Sequence, residues 1–154
     1  MRTLLAPASK FPVLSDVALL ISRVALGVIL LAHGWQKVNE YTLAGTAASF
    51  GEMGIPAPTA AAAFATTVEL VGGAALILGL LAPLVALLNT VNLLGALVLV
   101  HAGNGVFVGD GGYELVLALA AGLLVVAALG AGQFSVDSLV GRRFTARRPA
   151  TVTA

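Results

Sequence analysis

The chain has 154 residues, of which 59% are hydrophobic and only 10% are charged, and its mean hydropathy is +1.03. Because soluble domains carry about 25% charged residues, this composition predicts one small domain embedded in a membrane. The net charge of +1 gives no reason to expect a nucleic-acid partner. The lack of cysteine excludes disulfides, thiol nucleophiles and cysteine-ligated iron–sulfur clusters.

Four apolar segments follow one another along the chain, after a short segment of residues 1–15 that is predicted to be cytoplasmic. None of them alternates apolar and polar residues as the strands of a membrane barrel do, so we predict an all-α, four-transmembrane-helix bundle over residues 16–140. The predicted helices cover about residues 16–37, 59–81, 83–103 and 112–132.

The second and third predicted helices belong to one apolar run of residues 59–102, roughly twice the about 20 residues that a spanning helix needs. The run must therefore fold back on itself. Gly79 and Pro83 mark the place, because glycine ends a helix readily and proline fits the first turn of the next. We predict a very tight turn there.

Arginine and lysine predict the orientation. Arg2 and Lys10 precede the first helix, and four arginines lie in residues 141–154, which we interpret as a basic, flexible cytoplasmic tail. The opposite side carries only Lys37, at the end of the first helix. The positive-inside rule then places both termini in the cytoplasm, as an even number of spans requires.

Two ionisable residues lie deep in the predicted helices, Arg23 in the first and Glu69 in the second. At 100° per residue, Arg23 shares one stripe with Gly27, Gly34 and Lys37, so the charged face is predicted to be the packing face. The depths of Arg23 and Glu69 differ by about one helical turn. Since an unpaired arginine at mid-helix costs about 2.5–3.5 kcal/mol on insertion scales, we predict an Arg23–Glu69 ion pair.

A second polar group is predicted near the outer surface and consists of His33, Lys37, His101 and Glu114. A quinone headgroup needs hydrogen-bond donors at its carbonyls and an apolar slot for its tail, and histidine can donate, accept and titrate near neutral pH. These four residues are the candidate quinone pocket. Haem held by the two histidines is the disfavoured alternative, because no spacing here is specific to haem. No metal site is predicted.

Asn89 and Asn92, in the third predicted helix, are expected to hydrogen-bond to neighbouring helices. Asn92 and His101 lie about 180° apart on an ideal helix, so both can face one pocket only if that helix is kinked.

A series of different short motifs lies along residues 15–140. They are Arg23 with Gly27, Gly34-Trp35-Gln36-Lys37, Phe50, Gly54-Ile55-Pro56, Glu69-Leu70-Val71-Gly72-Gly73, Leu78-Gly79, His101, Gly112-Tyr113-Glu114, Gly130-Ala131-Gly132 and Ser135-Val136-Asp137. In order and spacing they resemble the DoxX family of small bacterial membrane proteins. The turn at Leu81-Ala82-Pro83 departs from the family pattern, because it lacks the basic residue common there.

The resemblance implies a four-helix inner-membrane protein similar to the membrane subunits of thiosulfate:quinone oxidoreductases and to partners in membrane-associated oxidoreductase complexes. The first functional hypothesis is therefore a quinone-binding subunit of a redox complex, with a redox protein partner that supplies electrons. The alternatives are a non-catalytic anchor or scaffold, and a transporter of small or lipidic molecules. The expected surroundings are the lipid bilayer, and homo-oligomerisation is left open.

Overall fold

Six α-helices make up the part of the chain that a computed structural model describes, residues 11–145. They are α1 (Pro12–Asn39), α2 (Thr42–Glu52), α3 (Pro58–Leu78), α4 (Ala82–Ala96), α5 (Glu114–Leu129) and α6 (Val136–Thr145). Helix α4 continues as a π turn, Leu97–His101, and a 3-10 turn, Ala102–Asn104. A second 3-10 turn covers Val108–Asp110, and no strand occurs within residues 11–145.

Three of these segments are long and apolar enough to cross a membrane: α1, α3, and α4 together with its continuation to Asn104. Helix α5 is equally apolar but has only 16 residues. The prediction of an all-helical, multi-pass membrane protein is therefore confirmed. The basic residues Arg2, Lys10, Arg147 and Arg148, on which the orientation was argued, lie outside the described residues.

The predicted tight turn joins α3 to α4. Gly79 adopts the left-handed conformation (φ +68°), which lets the N–H of Leu80 bond to the carbonyl of Ala75 at 2.9 Å. This is the hydrogen-bond pattern of a glycine-terminated helix. Leu81 is also left-handed (φ +47°), and Pro83 lies in the first turn of α4. The three residues 79–81 thus reverse the chain between two membrane helices.

The two ends of the bundle differ in their connections. One end, here called the turn end, contains the start of α1, the α3–α4 turn and the link from α5 to α6. The other end, the cavity end, contains α2 and the glycine-rich loop of residues 103–112. Helix α1 packs mainly on α3, and α4 packs mainly on α5.

Glycines bring the backbones of α1 and α3 into contact. A Cβ atom on Gly27 would lie 2.7 Å from the carbonyl oxygen of Gly73, and one on Gly34 would lie 2.6 Å from the backbone nitrogen of Leu70. Small residues allow this close approach, which van der Waals packing then stabilises. The predicted packing stripe of the first helix is confirmed: Arg23, Gly27, Leu30 and Gly34 are buried.

The apolar core lies between α1, α3, α4 and α5. Its buried members are Leu26, Leu30, Leu76, Ala82, Ala86, Leu93, Leu119, Ala120, Leu123, Val126 and Ala131.

Two helices were missed by the sequence argument. Helix α2 lies between the first two predicted helices, in residues 38–58, for which no helix was predicted, and α6 extends to Thr145, into the predicted flexible tail. The beginning of α6 is explained by Ser135, whose hydroxyl oxygen accepts a hydrogen bond from the N–H of Ser138 at 3.1 Å. A serine in this position satisfies a backbone donor at the start of a helix.

Candidate functional site

Arg23 does not pair with Glu69, so that prediction is wrong. Arg23 is 1% exposed, and its guanidinium group donates to the carbonyl oxygens of Leu76 (2.8 Å), Ile77 (2.5 Å) and Phe134. Leu76 and Ile77 lie in the last turn of α3, where carbonyls have no partner inside the helix and the helix dipole favours a cation. Arg23 therefore fastens α1 to the end of α3 and to the α5–α6 link.

The carboxylate of Glu69 binds a different cation. Its Oε2 atom lies 2.5 Å from Nζ of Lys37, and its Oε1 atom accepts a hydrogen bond from Nδ2 of Asn92 at 3.0 Å. Lys37 comes from α1, Glu69 from α3 and Asn92 from α4, so three helices meet at one carboxylate. We call this group the Lys37–Glu69–Asn92 triad. The carboxylate is almost fully buried and the ammonium group is partly exposed.

The triad forms part of the wall of a cavity of about 370 Å³ between α3, α4 and the end of α2. This volume lies within the range of small-molecule sites in proteins. The polar lining residues are the triad and His101. The remaining wall is apolar or small: Phe50, Met53, Ile55, Ala61, Phe64, Ala65, Val91, Gly95, Ala96, Leu99 and Val100.

The π turn at Leu97–His101 explains how Asn92 and His101 both reach this cavity. A π turn contains more residues than an α turn, so it changes the direction of every side chain that follows it. The expectation that the two residues can share a pocket only on an irregular helix is met in this way. Single π turns occur frequently at functional sites.

A hydrogen bond defines the state of the His101 ring. Its Nδ1 atom lies 2.7 Å from the carbonyl oxygen of Gly111. Because a carbonyl oxygen only accepts, Nδ1 carries the proton. Nε2 is then the ring nitrogen available to another group, as an acceptor in the neutral ring and a donor in the cationic ring.

His33 and Glu114 do not belong to the cavity, which corrects half of the predicted pocket. His33 lies on the exposed side of α1, because the buried stripe runs through Leu30 and Gly34 instead. The Oε1 atom of Glu114 accepts a hydrogen bond from the N–H of Val108 at 2.7 Å, so this side chain supports the glycine-rich loop.

Asn89 and Asn92 both bond to a neighbouring helix, as predicted. The Nδ2 atom of Asn89 donates to the carbonyl oxygen of Val68 on α3 at 2.9 Å and to that of Val85 at 3.1 Å. Asn92 bonds to Glu69, so it both joins helices and lines the cavity.

A polar group at the turn end was also missed. The carboxylate of Asp137 accepts hydrogen bonds from the N–H groups of Leu81 (2.7 Å) and Ala82 (2.9 Å), and so caps α4 from another helix. Asp16 accepts a hydrogen bond from the N–H of Gln133 at 2.9 Å. Together with Arg23, these carboxylates hold the α5–α6 link against the bundle. The turn end therefore has a structural polar cluster, which is distinct from the cavity at the other end.

Comparison with known proteins agrees with a membrane protein. A family model described as DoxX matches residues 18–102, more than half of the chain. The inner membrane protein YqjF of Escherichia coli (strain K12) is 28% identical to this chain over 131 residues, which cover 85% of this chain and 98% of that protein. No solved structure matches. The matched region contains the Lys37–Glu69–Asn92 triad and ends one residue after His101.

Proposed function

This chain belongs to the DoxX family, and from that premise we propose that it is a bacterial inner-membrane subunit of a redox complex that binds a quinone in the cavity beside Lys37. The location is supported by three membrane-spanning helices and by the similarity to an inner membrane protein. The observation that carries the binding role is the cavity itself, in which four polar side chains face an otherwise apolar wall.

The wall and the polar groups suit the two parts of a quinone. Phe50, Phe64 and Leu99 offer apolar contact to a ring and the start of an isoprenoid tail. The ammonium group of Lys37 and the imidazole of His101 offer hydrogen-bond donors to carbonyl oxygens, with His101 donating from Nε2 in its cationic form. Apolar pockets with a few convergent polar groups are the usual form of small-molecule sites.

The chemistry assigned to this chain is binding and proton transfer. Reduction of a quinone to a quinol takes two electrons and two protons. Electrons come from a redox protein partner, because this chain has no cysteine to ligate an iron–sulfur cluster or to form a redox disulfide. The Lys37–Glu69 pair joins an ammonium to a carboxylate at 2.5 Å and provides a short route for the protons.

Gly95 allows a direct test. It lines the cavity, and a Cβ atom built on it meets no other atom within 4 Å. Gly95→Leu should therefore fill the cavity without disturbing the fold. Gly103→Leu is the matched control, because Gly103 is equally unobstructed but lies outside the cavity.

The measurement is a binding titration of a short-chain ubiquinone or menaquinone against the protein in lipid nanodiscs. We expect saturable binding to the wild type and to Gly103→Leu, and at least a tenfold weaker affinity for Gly95→Leu, with an unfolding temperature in Gly95→Leu no lower than that of the wild type. Equal affinity in all three proteins would remove the cavity from the proposal. A wild-type protein that binds no quinone but retains a partner protein would favour the alternative function, a non-catalytic membrane anchor or scaffold.

A further inference from the structure

The glycine-rich loop presents three consecutive apolar side chains at the cavity end. Val106, Phe107 and Val108 are 46%, 67% and 53% exposed. They lie between the end of the third spanning segment and the start of α5. We call them the apolar tip. Unlike the exposed leucines and valines of the spanning helices, they belong to a loop, where water would be the ordinary surroundings.

Much of the loop's own backbone is hydrogen-bonded internally. The N–H groups of Tyr113 and Glu114 donate to the carbonyls of Gly105 and Val106 at 3.1 and 2.9 Å. Three further donors, at residues 110, 111 and 112, bond to carbonyls of the tip at 2.9–3.1 Å. The N–H of Val108 donates to Glu114. A loop whose peptide groups are paired in this way loses little when it leaves water, since unpaired peptide groups are the main cost of entering an apolar medium.

The end of the third spanning segment also holds the loop. The carbonyl of Gly111 lies 2.7 Å from Nδ1 of His101 and accepts a hydrogen bond from Nδ2 of Asn104 at 3.4 Å. At Gly112 a Cβ atom would lie 2.5 Å from the carbonyl oxygen of Gly105, so the two arms of the loop touch. The apolar tip is therefore presented as a fixed surface.

The length of α5 supplies the second argument. Its 16 residues span about 24 Å at 1.5 Å per residue, whereas the hydrocarbon layer is about 30 Å thick. The preceding segment, Ala82–Asn104, has 23 residues and spans about 34 Å. Helix α5 is thus about 6 Å shorter than the hydrocarbon layer, and the tip lies next to the start of α5.

We propose that the apolar tip inserts into the bilayer, with the side chains of Val106, Phe107 and Val108 among the upper acyl carbons of the leaflet at the cavity end. The only charged residue of the loop, Asp110, then lies at headgroup level. The inserted side chains add apolar contact with lipid beside α5, which is shorter than the hydrocarbon layer is thick. They also anchor the loop that positions His101. This proposal does not depend on which ligand, if any, the cavity binds.

Tryptophan fluorescence tests the insertion, because the chain contains a single tryptophan, Trp35. In a Trp35→Phe background, Phe107→Trp places a reporter at the tip. Val106→Trp serves as a second reporter in case the first disturbs the loop. Asp110→Trp is the matched control, in the same loop and also exposed. Each protein is reconstituted into phosphatidylcholine vesicles with or without acyl chains brominated near the headgroup.

Insertion predicts that bromolipid quenches Phe107→Trp strongly and iodide quenches it little, with an emission maximum shifted to shorter wavelength than that of Asp110→Trp. Asp110→Trp should show the reverse pattern of quenching. Iodide quenching without bromolipid quenching at both tip positions would overturn the proposal, because the tip would then lie in water. Protection from both quenchers would also overturn it, because protein and not lipid would cover the tip.

Discussion

At the scale of single residues, the two cations of α1 have separate tasks. Arg23 binds carbonyl oxygens at the C-terminal end of α3, whereas Lys37 binds the carboxylate of Glu69. The guanidinium group presents several donors in a fixed plane, which suits three carbonyls from two segments. The ammonium group is a compact charge and leaves the second carboxylate oxygen to Asn92. Arg23, which fastens the helices at the turn end, is thus distinct from Lys37, the cation of the cavity.

A double-mutant cycle distinguishes the observed pair from the one that was predicted from the sequence. Lys37→Met and Glu69→Gln should show a coupling free energy of about 1 kcal/mol or more in denaturant unfolding, because the two side chains are in contact. Arg23→Met and Glu69→Gln should be additive within about 0.5 kcal/mol. Coupling of Glu69 to Arg23 but not to Lys37 would contradict the structure.

The sequence placed Arg23 and Lys37 correctly on the packing stripe of α1. It did not predict which of these two cations pairs with Glu69. Depth along the helix placed Glu69 about one turn from Arg23, and a long side chain can span that distance in either direction. What decides the pairing is the slide of α3 along α1, which depends on the contacts of Gly27 with Gly73 and of Gly34 with Leu70. Such an offset is a property of two packed helices, and neither sequence segment contains it alone.

At the scale of helices, the bundle depends on close backbone contact between α1 and α3. A Cβ atom on Gly73 would lie 2.6 Å from the backbone nitrogen of Leu31 and 2.7 Å from the carbonyl oxygen of Gly27. Backbone atoms cannot turn aside as a flexible side chain can, so the helices would have to separate. Since α1 carries Lys37 and α3 carries Glu69, separation would also open the triad.

Gly73→Ala should therefore destabilise the protein by about 1–3 kcal/mol, the usual range for overpacking a well-packed interface. Gly95→Ala is the control, because its new Cβ atom meets nothing within 4 Å, and a better helix former there should change stability by no more than about 1 kcal/mol, in the favourable direction. Thermal unfolding in detergent measures both. A Gly73→Ala protein as stable as the wild type would mean that α1 and α3 are not packed as described.

The elements differed in how far the sequence predicted them. Long apolar runs and the Gly79 and Pro83 signals predicted the spanning helices and the turn, because length and proline or glycine placement act locally. Helix α2, with the sequence TLAGTAASFGE, has small residues and two glycines and carries no clear apolar period. The π turn follows no sequence rule that distinguishes LVLVH from the α-helix before it. Of the polar lining of the cavity, only Lys37 and His101 were predicted as pocket residues, because Glu69 was assigned to Arg23 and Asn92 was placed on the opposite side of an ideal helix from His101.

At the scale of the whole molecule, polar groups concentrate at the two ends of the bundle. The turn end contains Asp16, Arg23 and Asp137, all engaged with backbone groups. The cavity end contains Lys37, Glu69 and His101, which line a space large enough for a ligand. Arg142 and Arg143 of α6 add positive charge near the turn end. We propose that the turn end faces the cytoplasm, in agreement with the positive-inside rule.

The absence of cysteine makes this orientation simple to measure. Glu52→Cys places an exposed thiol at the end of α2, at the cavity end, and Arg143→Cys places one at the turn end. A membrane-impermeant maleimide added to intact spheroplasts should label Glu52→Cys at once and Arg143→Cys only after permeabilisation. The opposite pattern would invert the proposed orientation and place the cavity on the cytoplasmic side.

We propose that the cavity beside the Lys37–Glu69–Asn92 triad holds a quinone in the native membrane. The most direct measurement is mass spectrometry of the lipids extracted from the protein after gentle purification from native membranes. We expect quinone in near-stoichiometric amount with the wild type and its loss in Gly95→Leu. Phospholipid alone in the wild type, or an equal amount of quinone in Gly95→Leu, would contradict it.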